Sequence, residues 1–290
     1  MLPRCLLRIV GVLFVATSLS AAAEDPEPLC IIEDERIDES SGIAVSRIRD
    51  DAIWIHNDSG DKPRLFLAGH DGKTIAVVNL NPATALDWED MCSFEIDGQP
   101  WLLVADVGDN DEDRSAKRAP CQLYLLKEPA IPEGQDEFTC RPDITIRLHY
   151  EFGPQNCESV AVDPERREIL LLTKSAPQSC RLYRLPLDLT EPKQSHVAQA
   201  IATAAIPFAT AMDISADGRH MAIATMWAGT LVERKPEETW ADAFRRIDDT
   251  LMLPPRKQGE TIAFDRSGAF LYLNSEKPGQ PLWRISVPTP

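Results

Sequence analysis

The sequence predicts an all-β fold, a five-bladed β-propeller with four-stranded blades, from three observations. A short phrase recurs along the chain, each copy is followed by apolar runs that suit buried strands, and the two ends of the chain complement each other. Each copy begins with an acid or a hydroxyl and then alternates small and larger side chains, as a strand with two different faces does. The copies are Ser41-Gly-Ile-Ala-Val-Ser, Glu89-Asp-Met-Cys-Ser-Phe, Glu158-Ser-Val-Ala-Val-Asp, Thr210-Ala-Met-Asp-Ile-Ser and Glu260-Thr-Ile-Ala-Phe-Asp.

The spacing of the copies is regular apart from one interval. Successive copies start 48, 69, 52 and 50 residues apart. The long interval contains a charged run, residues 109–118, and a proline-rich stretch, residues 128–142. We interpret the excess as an insertion, and a divergent sixth blade inside it is the alternative.

Three further strands follow the phrase in most units. The second strand is a nearly continuous apolar run, which is typical of strands buried on both faces. The predicted second strands are Ala52-Ile-Trp-Ile, Trp101-Leu-Leu-Val-Ala, Ile169-Leu-Leu-Leu, Met221-Ala-Ile-Ala and Phe270-Leu-Tyr-Leu. Third strands are predicted from Arg64, Gln122, Arg181, Thr230 and Pro281, and fourth strands at residues 74–80, 144–150, 197–206 and 250–253.

The two ends of the chain are expected to close the ring. The last unit has no fourth strand of its own, whereas residues 29–37 form a strand-like piece that belongs to no unit. If this N-terminal strand closes the last blade, every blade has four strands and no open sheet edge remains. This closure favours a propeller over a two-sheet sandwich. Residues 237–246 are predicted to form a short helical connection.

Residues 1–23 have the organisation of a signal peptide. Arg4 and Arg8 form a basic region, residues 9–15 an apolar core, and residues 21–23 a small-residue cleavage site. The apolar core is too short to span a bilayer. We therefore expect an exported protein, periplasmic or extracellular, whose residues 24–290 form a single domain.

The charge balance indicates which partners to expect. The chain has 46 acidic and 30 basic residues, a formal net charge of −16. Nucleic acids and anionic lipid surfaces are disfavoured as partners because like charges repel, and no membrane insertion is expected. Divalent cations or cationic partners fit this charge better. The alternative is that the negative charge only keeps the surface of an exported protein soluble.

The cysteines predict disulfides rather than a metal site. Six cysteines follow the cleavage site, at positions 30, 92, 121, 140, 157 and 180. An even number in an exported chain favours one or two bridges, with the pairing left open. The sequence contains no zinc-like cysteine and histidine spacing.

In a propeller, the starts of the first strands and the ends of the second strands meet at one rim of the central channel. That rim would collect Glu89, Glu158 and Glu260, together with the polar segments that follow the second strands. Converging carboxylates repel one another unless they are protonated or share a cation, and ligands that are all oxygen suit calcium. We therefore predict a calcium site formed by Glu89, Asp109, Glu158 and Glu260, with Asp58 as a further candidate. The alternative is that these acids cap strand ends and link neighbouring blades.

Three polar segments in the first two blades predict a ligand site on the same rim. They are His56-Asn57-Asp58-Ser-Gly-Asp61, Asp87-Trp88-Glu-Asp90 and Asp106-Val-Gly-Asp-Asn110. Their glycines allow tight turns, and Trp88 is the aromatic expected to contact a ligand. The EF-hand pattern fails after Asp109 because positions six and twelve are Arg114 and Pro120. No nucleophile elbow, phosphate loop or HExxH motif is present, so catalytic residues stay unassigned.

These segments, with Arg114 and the later phrases, resemble a family of exported bacterial β-propellers that is distantly similar to phytase-like and NHL-type propellers. The resemblance covers most of residues 24–290 and implies the fold, export and a polar site on the face that carries these segments, including Asn110 and Arg114. It implies no reaction, because propellers serve many functions. In the resembling sequences a basic residue commonly ends the second strand of the fourth blade, where this chain has Ala224-Thr-Met. An anionic substrate bound there is therefore less expected.

Two functions follow from this interpretation. The first is a calcium-supported binding propeller whose rim holds a small molecule, a glycan, a peptide or a partner protein. The second is a metal-dependent hydrolase of phosphoesters or lactones, in which Glu89 or Asp109 helps to ionise a metal-bound water. The sequence favours the binding protein because no histidine or activated nucleophile can be assigned.

Overall fold

The computed structural model describes residues 27–108, 120–175, 180–246 and 249–288, and β-strands dominate these residues. The strands are β1 (Pro28–Ile31), β2 (Ser40–Val45), β3 (Ala52–Asn57), β4 (Arg64–Gly69), β5 (Thr74–Leu80), β6 (Trp88–Ile96), β7 (Gln99–Asp106), β8 (Cys121–Lys127), β9 (Glu137–Cys140), β10 (Ile144–Tyr150), β11 (Cys157–Asp163), β12 (Glu168–Thr173), β13 (Cys180–Pro186), β14 (Lys193–Ala204), β15 (Ala209–Ile214), β16 (His220–Thr225), β17 (Gly229–Glu233), β18 (Asp249–Leu251), β19 (Ala263–Phe264), β20 (Phe270–Leu273) and β21 (Pro281–Ser286). A short helix, α1 (Trp240–Phe244), lies within the predicted helical connection.

The strands form antiparallel groups of four, in which strands that follow one another along the chain pair, except that β8 pairs with β10 and β21 with β1. We call these groups unit 1 (β2–β5), unit 2 (β6, β7, β8 and β10), unit 3 (β11–β14), unit 4 (β15–β18) and unit 5 (β19–β21 with β1). The repeated phrase forms the first strand of units 1 to 4 and, in unit 5, runs into the short strand β19. The all-β prediction is confirmed.

The first strands of the units are arranged in a ring. β2 contacts β6, β6 contacts β11, β11 contacts β15, β15 contacts β19, and β19 contacts β2. Sheets that place their first strands around a common axis in this way form a β-propeller. The first strands therefore surround the central channel, and the later strands of each unit lie further from it.

The N-terminal strand occupies the outer position of unit 5, as the sequence predicts. β1 pairs antiparallel with β21, with Ile31 opposite Pro281. The Ile32 amide extends the pairing by donating to the Gln280 carbonyl at 3.0 Å. Strands from the two ends of the chain therefore share one sheet.

Two parallel pairings were not expected from the sequence. Strand β9, from the proline-rich insertion, pairs with β5 and adds a fifth strand to unit 1. Strands β10 and β14, the outer strands of units 2 and 3, pair with each other, and the two units become one eight-stranded sheet. Strand β14 also begins at Lys193, earlier than predicted.

The hydrophobic core lies between neighbouring units. Trp54 of unit 1 packs with Trp88 and Tyr124 of unit 2, and all three side chains are at most 2% exposed. Trp240 of α1 packs between units 3 and 4 and donates from Nε1 to Asp163 at 2.7 Å. Burying an aromatic side chain of this size contributes about 1.5–3 kcal/mol, so these contacts hold the units together.

The prediction of disulfides is wrong. None of the six described cysteines is bridged to another, and each lies on a different strand. Three of the thiols donate to carbonyl oxygens, from Cys121 to Val107, from Cys157 to Leu172 and from Cys180 to Ile206. These cysteines therefore act as small buried side chains within the sheets.

Within the described ranges, no helix combines the length and the apolar character that crossing a bilayer requires.

Candidate functional site: an acidic channel mouth

The structure brings the repeat-initiating acids of units 2, 3 and 5 together at one end of the channel. Glu89 lies in β6, Glu158 in β11, and Glu260 just before β19, and each is at most 6% exposed. Asp58 follows β3 and Asp87 precedes β6. Both lie close enough to Glu89 for their charges to raise its pKa. We call this group, with Lys174, the acidic mouth.

Three members of the acidic mouth could share one cation. Asp58, Asp87 and Glu89 each offer a carboxylate oxygen, and these three oxygens lie within 4.8 Å of one another. Two oxygens on opposite sides of a calcium ion, each at about 2.4 Å, are about 4.8 Å apart. We call these residues the three-carboxylate cluster; Glu89 is buried, whereas Asp58 and Asp87 are partly exposed.

The segments around the cluster hold its carboxylates in place. Asp106, at the end of β7, accepts the backbone amide of Asp87 at 3.0 Å with one oxygen. Its other oxygen accepts the Thr84 hydroxyl at 3.0 Å. Gly108 lies directly beneath the carboxylates of Asp87 and Glu89, because a Cβ at this position would collide with both. Asp106 and Gly108 are therefore supports of the cluster.

Lys174 neutralises another part of the mouth. Its ammonium group lies 2.9 Å from a Glu158 oxygen and 3.7 Å from a Glu260 oxygen. Burial lowers the pKa of Lys174, but the neighbouring glutamates, first of all Glu158, outweigh it and raise this pKa above its usual value. The calcium ligands expected from the sequence therefore separate into two groups, with Glu158 and Glu260 around Lys174 and Glu89 in the three-carboxylate cluster.

The crowded carboxyls bind protons tightly. Burial, reinforced by Glu158, Asp58 and Asp87, raises the pKa of Glu89 well above its usual value. Burial likewise raises the pKa of Asp58 to about 7, against a hydrogen bond from the Ser59 amide that lowers it. A cation that binds the deprotonated carboxylates therefore competes with these protons.

Further acids extend the negative potential around the mouth. Glu276, which follows β20, is 3% exposed, and burial together with Glu260 and Glu39 raises its pKa to about 8. Lys277 lies 2.7 Å from Glu39 and 3.4 Å from Glu276. Because Lys277 is half exposed, it screens these acids only partly.

Several residues expected to bind a ligand instead stabilise the fold. Asn57 donates from Nδ2 to the Arg36 carbonyl at 2.7 Å and to Asp61 at 2.9 Å. Asp61 also accepts the Arg64 guanidinium, with a shortest distance of 2.7 Å. These bonds fix the turn after β3, so Asn57 and Asp61 position Asp58 and do not line the mouth themselves.

His56 and Trp88 are core residues. His56 is 0% and Trp88 is 1% exposed, and the two rings meet edge-to-face with centroids 5.2 Å apart. Burial lowers the pKa of His56 to about 4, so its ring is neutral at physiological pH. A Cβ at Gly42 would collide with His56, which explains the glycine in the first copy of the phrase. Trp88 therefore offers no surface to a ligand.

The remaining predicted site residues, Asp109, Asn110 and Arg114, lie outside the described residues.

The acids next to the mouth join the first strands. Asp90, 0% exposed, accepts the amides of Val160 at 2.9 Å and Met212 at 3.2 Å, so one carboxylate links β6, β11 and β15. Asp213 continues the connection by accepting the Phe264 amide of β19 at 2.8 Å. These bonds fix how far each first strand is shifted along the channel axis relative to its neighbours. They thereby fix the positions of the carboxylates at the starts of these strands.

Sequence reasoning missed one buried cation at the end of β16. Arg256, in the segment between β18 and β19, donates from its guanidinium to the Thr225 carbonyl at 3.4 Å. This is the end of β16, the second strand of unit 4, where the resembling sequences commonly carry a basic residue. Burial lowers the pKa of Arg256 to about 10, so it stays charged at neutral pH. No local signal could have revealed this, because the cation comes from a different loop.

Comparisons with known proteins assign no family to this chain. No family model matches the sequence, and no curated protein matches it. Among solved structures, a gluconolactonase from Xanthomonas campestris is 12% identical with a TM-score of 0.48, over 86% of this chain and 72% of that one. Kuenenia stuttgartiensis hydrazine synthase is 8% identical with a TM-score of 0.44, over 94% of this chain and 99% of that one. At such identities and scores, neither similarity bears on the activity of this protein.

Proposed function

We propose that this protein is a five-bladed β-propeller that binds a divalent cation, calcium, at the acidic mouth. The ligands would come from Asp58, Asp87 and Glu89. The observation that carries the proposal is the approach of three carboxylate oxygens to within 4.8 Å of one another at the end of the channel. Carboxylates this close repel one another strongly in a partly buried site, and a shared cation removes the repulsion.

The chemistry of the cluster supports calcium over a transition metal. All three ligands are carboxylate oxygens, which hard cations such as calcium prefer. Calcium tolerates irregular geometry and accepts six to eight oxygens, so water can complete the shell on the side where Asp58 and Asp87 are partly exposed. The other acidic residues of the mouth would strengthen the attraction at longer range.

We propose in addition that the same end of the molecule binds a ligand or partner, with Trp227 as its aromatic contact. Trp227 lies in the turn between β16 and β17, is 70% exposed, and meets Phe208 edge-to-face with centroids 5.4 Å apart. Its amide bonds to Thr225, the last residue of β16, and Thr225 pairs with Ala209 at the start of β15. An exposed aromatic beside an acidic, cation-holding mouth suits a glycan or a peptide.

Calorimetric titration of calcium into chelator-treated protein tests the cation site. Glu89→Gln and Asp87→Asn should each weaken calcium binding at least about tenfold, because a charged ligand is lost. Glu95→Gln is the matched control, since it neutralises an exposed glutamate on the same strand, β6. The proposal fails if the unaltered protein shows neither heat nor a Tm shift at millimolar calcium, or if Glu95→Gln weakens binding as much as Glu89→Gln.

A metal-dependent hydrolase is the second candidate, and the partial exposure of Asp58 and Asp87 favours it. A catalytic cation needs a coordination position that water and substrate can reach. Lactone, ester and phosphoester panels with calcium, repeated on Glu89→Gln, separate the two functions. Turnover that Glu89→Gln abolishes would assign the hydrolase, whereas calcium binding without turnover supports the binding protein.

We also propose that residues 1–23 are removed on export and that residues 24–290 form a single domain. The support is the order of a basic region, an apolar core and small residues at the start of the chain. Mass spectrometry of the protein recovered outside the cytoplasm should give Glu24 as the first residue. An unprocessed chain retained in the cytoplasm would contradict this.

A further inference from the structure

A cavity lies away from the channel axis, where units 2 and 3 are joined. It has a volume of about 590 Å³, which is within the range of small-molecule sites. Its floor is formed by strands β8, β10 and β14, and one wall is formed by residues 82–84 of the connection between β5 and β6. We call this cavity the junction groove.

The floor of the junction groove is a regular grid of polar side chains. Cross-strand pairing aligns Tyr124, Thr145 and Lys193 in one row and Gln122, Arg147 and Ser195 in the next. Residues two apart on a strand point to the same face, so all six side chains face the same side of the sheet. This grid depends on the parallel pairing of β10 with β14, because that pairing brings Lys193 and Ser195 of unit 3 beside Thr145 and Arg147 of unit 2.

The wall is attached to the floor by hydrogen bonds. The Tyr124 hydroxyl accepts the Thr84 amide at 2.9 Å, and Gln122 donates to the Thr84 hydroxyl at 3.1 Å. Thr84 also donates to Asp106, which belongs to the support of the acidic mouth. Hydrogen bonds to the floor and to Asp106 therefore fix the position of the wall of the groove.

The charge of the groove is opposite to that of the chain as a whole. Arg147 and Lys193 line it, and no acid is found among its described lining residues, although the chain has 46 acids and 30 bases. Neither cation forms an ion pair with another described residue, and both are exposed. Surface cations in so acidic a protein would ordinarily be paired with nearby carboxylates.

We infer that the junction groove binds a small oxyanion, a carboxylate or a phosphate carried on a hydroxyl-rich, sugar-like body. The guanidinium of Arg147 can hold two oxygens of such a group at once, and Lys193 adds a second positive charge. Ser195, Thr145 and Gln122 supply donors and acceptors for hydroxyl groups. None of these residues belongs to the three-carboxylate cluster, so the inference is independent of calcium binding.

Calorimetry with four probes tests the inference on the full-length protein in the presence of chelator. The probes are D-glucuronate, glucose 6-phosphate, inorganic phosphate and glucose. We expect saturable binding of glucuronate or of glucose 6-phosphate and no binding of glucose. The sugar anion that binds more tightly shows whether the groove prefers a carboxylate or a phosphate. Inorganic phosphate should bind more weakly than the sugar-borne anion it matches, because it lacks the hydroxyls.

Three variants locate the binding. Arg147→Gln should weaken it about tenfold or more, because it removes a charged donor. Ser195→Trp should abolish it by filling the groove, and position 195 is exposed, so folding is expected to survive. Arg141→Gln is the matched control, an exposed arginine outside the groove, and should bind as the unaltered protein does. The inference is overturned if no sugar anion binds at 10 mM, roughly the weak limit of specific sites, or if Arg147→Gln and Arg141→Gln bind equally well.

Discussion

Gly108 lies so close beneath the carboxylate of Asp87 that a single methyl group on its Cα would occupy the position of an Asp87 oxygen. The same methyl group would collide with Glu89. Asp87 is held from its other side by the bond from its amide to Asp106. The three-carboxylate cluster therefore exists in its present geometry because residue 108 has no side chain.

Gly108→Ala should consequently impair calcium binding without unfolding the protein. The added methyl group displaces the carboxylates of Asp87 and Glu89, and calcium affinity should fall about tenfold or more by calorimetry. Gly153→Ala is a suitable comparison, because Gly153 has a positive φ of 80° with nothing near its Cβ position. That variant should lose some stability through backbone strain but keep its calcium affinity. Equal calcium affinity in Gly108→Ala and the unaltered protein would contradict the geometry.

The stability of the calcium-free protein should fall as the pH rises from about 4 to about 7. Burial raises the pKa of Asp58 to about 7 in the folded protein, whereas the pKa of an aspartate in the unfolded chain is about 3.9. Between these values the folded state holds more protons than the unfolded state, so the free energy of unfolding decreases with pH. The raised pKa values of Glu89 and Glu276 act in the same direction, and with Asp58 they outweigh His56, whose lowered pKa has the opposite effect.

Urea denaturation from pH 4.5 to pH 8, roughly spanning these pKa values, measures this dependence. Calcium should reverse it, because the ion binds the deprotonated carboxylates and raises the Tm at the upper pH by at least about 3 °C while leaving it unchanged at the lower. Asp58→Asn should flatten the profile. A profile that rises with pH in the calcium-free protein would show that these carboxyls are not the dominant titrating groups.

Replacing Lys174 with methionine should destabilise the calcium-free protein. The substitution leaves Glu158 and Glu260 facing each other without the ammonium that now contacts both. Breaking such a pair in a partly exposed site should cost about 1–3 kcal/mol. Calcium should restore part of this loss, because a cation in the mouth takes over the neutralisation. Lys73→Met, at an exposed lysine 4.0 Å from Asp71, should leave the Tm unchanged to within about 1 °C.

Asp90→Asn should be the most destabilising conservative substitution near the channel. Both oxygens of Asp90 act as acceptors, one for the Met91 amide and one for the amides of Val160 and Met212. An asparagine must turn its NH₂ group towards one of these donors, which leaves a buried amide unpaired at a cost of about 2–4 kcal/mol. Chemical denaturation measures the loss, and Asp97→Asn, at an 88% exposed aspartate, is the control. Equal stability of the two variants would mean that Asp90 does not join the first strands.

The all-β architecture and the convergence of acids could be predicted because their signals are local. Alternating small and large residues mark β2, β6, β11 and β15, and continuous apolar runs mark the strands that follow them. Once these strands form a ring, the residues that begin them must meet. Glu89, Glu158 and Glu260 are found together for this reason.

The error over Trp88 has a simple physical cause. The pairing of β6 with β7 shifts in register between Trp88 and Asp90, so the simple alternation of a regular strand does not apply at Glu89. Glu89 faces the other acids, whereas the ring of Trp88 lies in the core between units 1 and 2. No local signal in the sequence marks this irregularity, so the direction of the Trp88 side chain could not be read from the segment alone.

Other features had no local signal at all. The pairing of β10 with β14 joins strands whose partners depend on how two units meet at their outer edges. The junction groove depends on that pairing, and Arg256 reaches Thr225 from a loop that no motif marks. The disulfide prediction failed because the number of cysteines carries no information on their distances.

The pairing of β1 with β21 has a consequence for how the molecule is made. Ile31 pairs with Pro281, so all the residues between these two must be synthesised before the ring of sheets can be completed. Without β1, unit 5 lacks its outermost strand, and the edge of β21 exposes unpaired amides and carbonyls that other chains could pair with. Shortening the chain by a few residues at the start of β1 should therefore promote aggregation even though the acidic mouth is untouched.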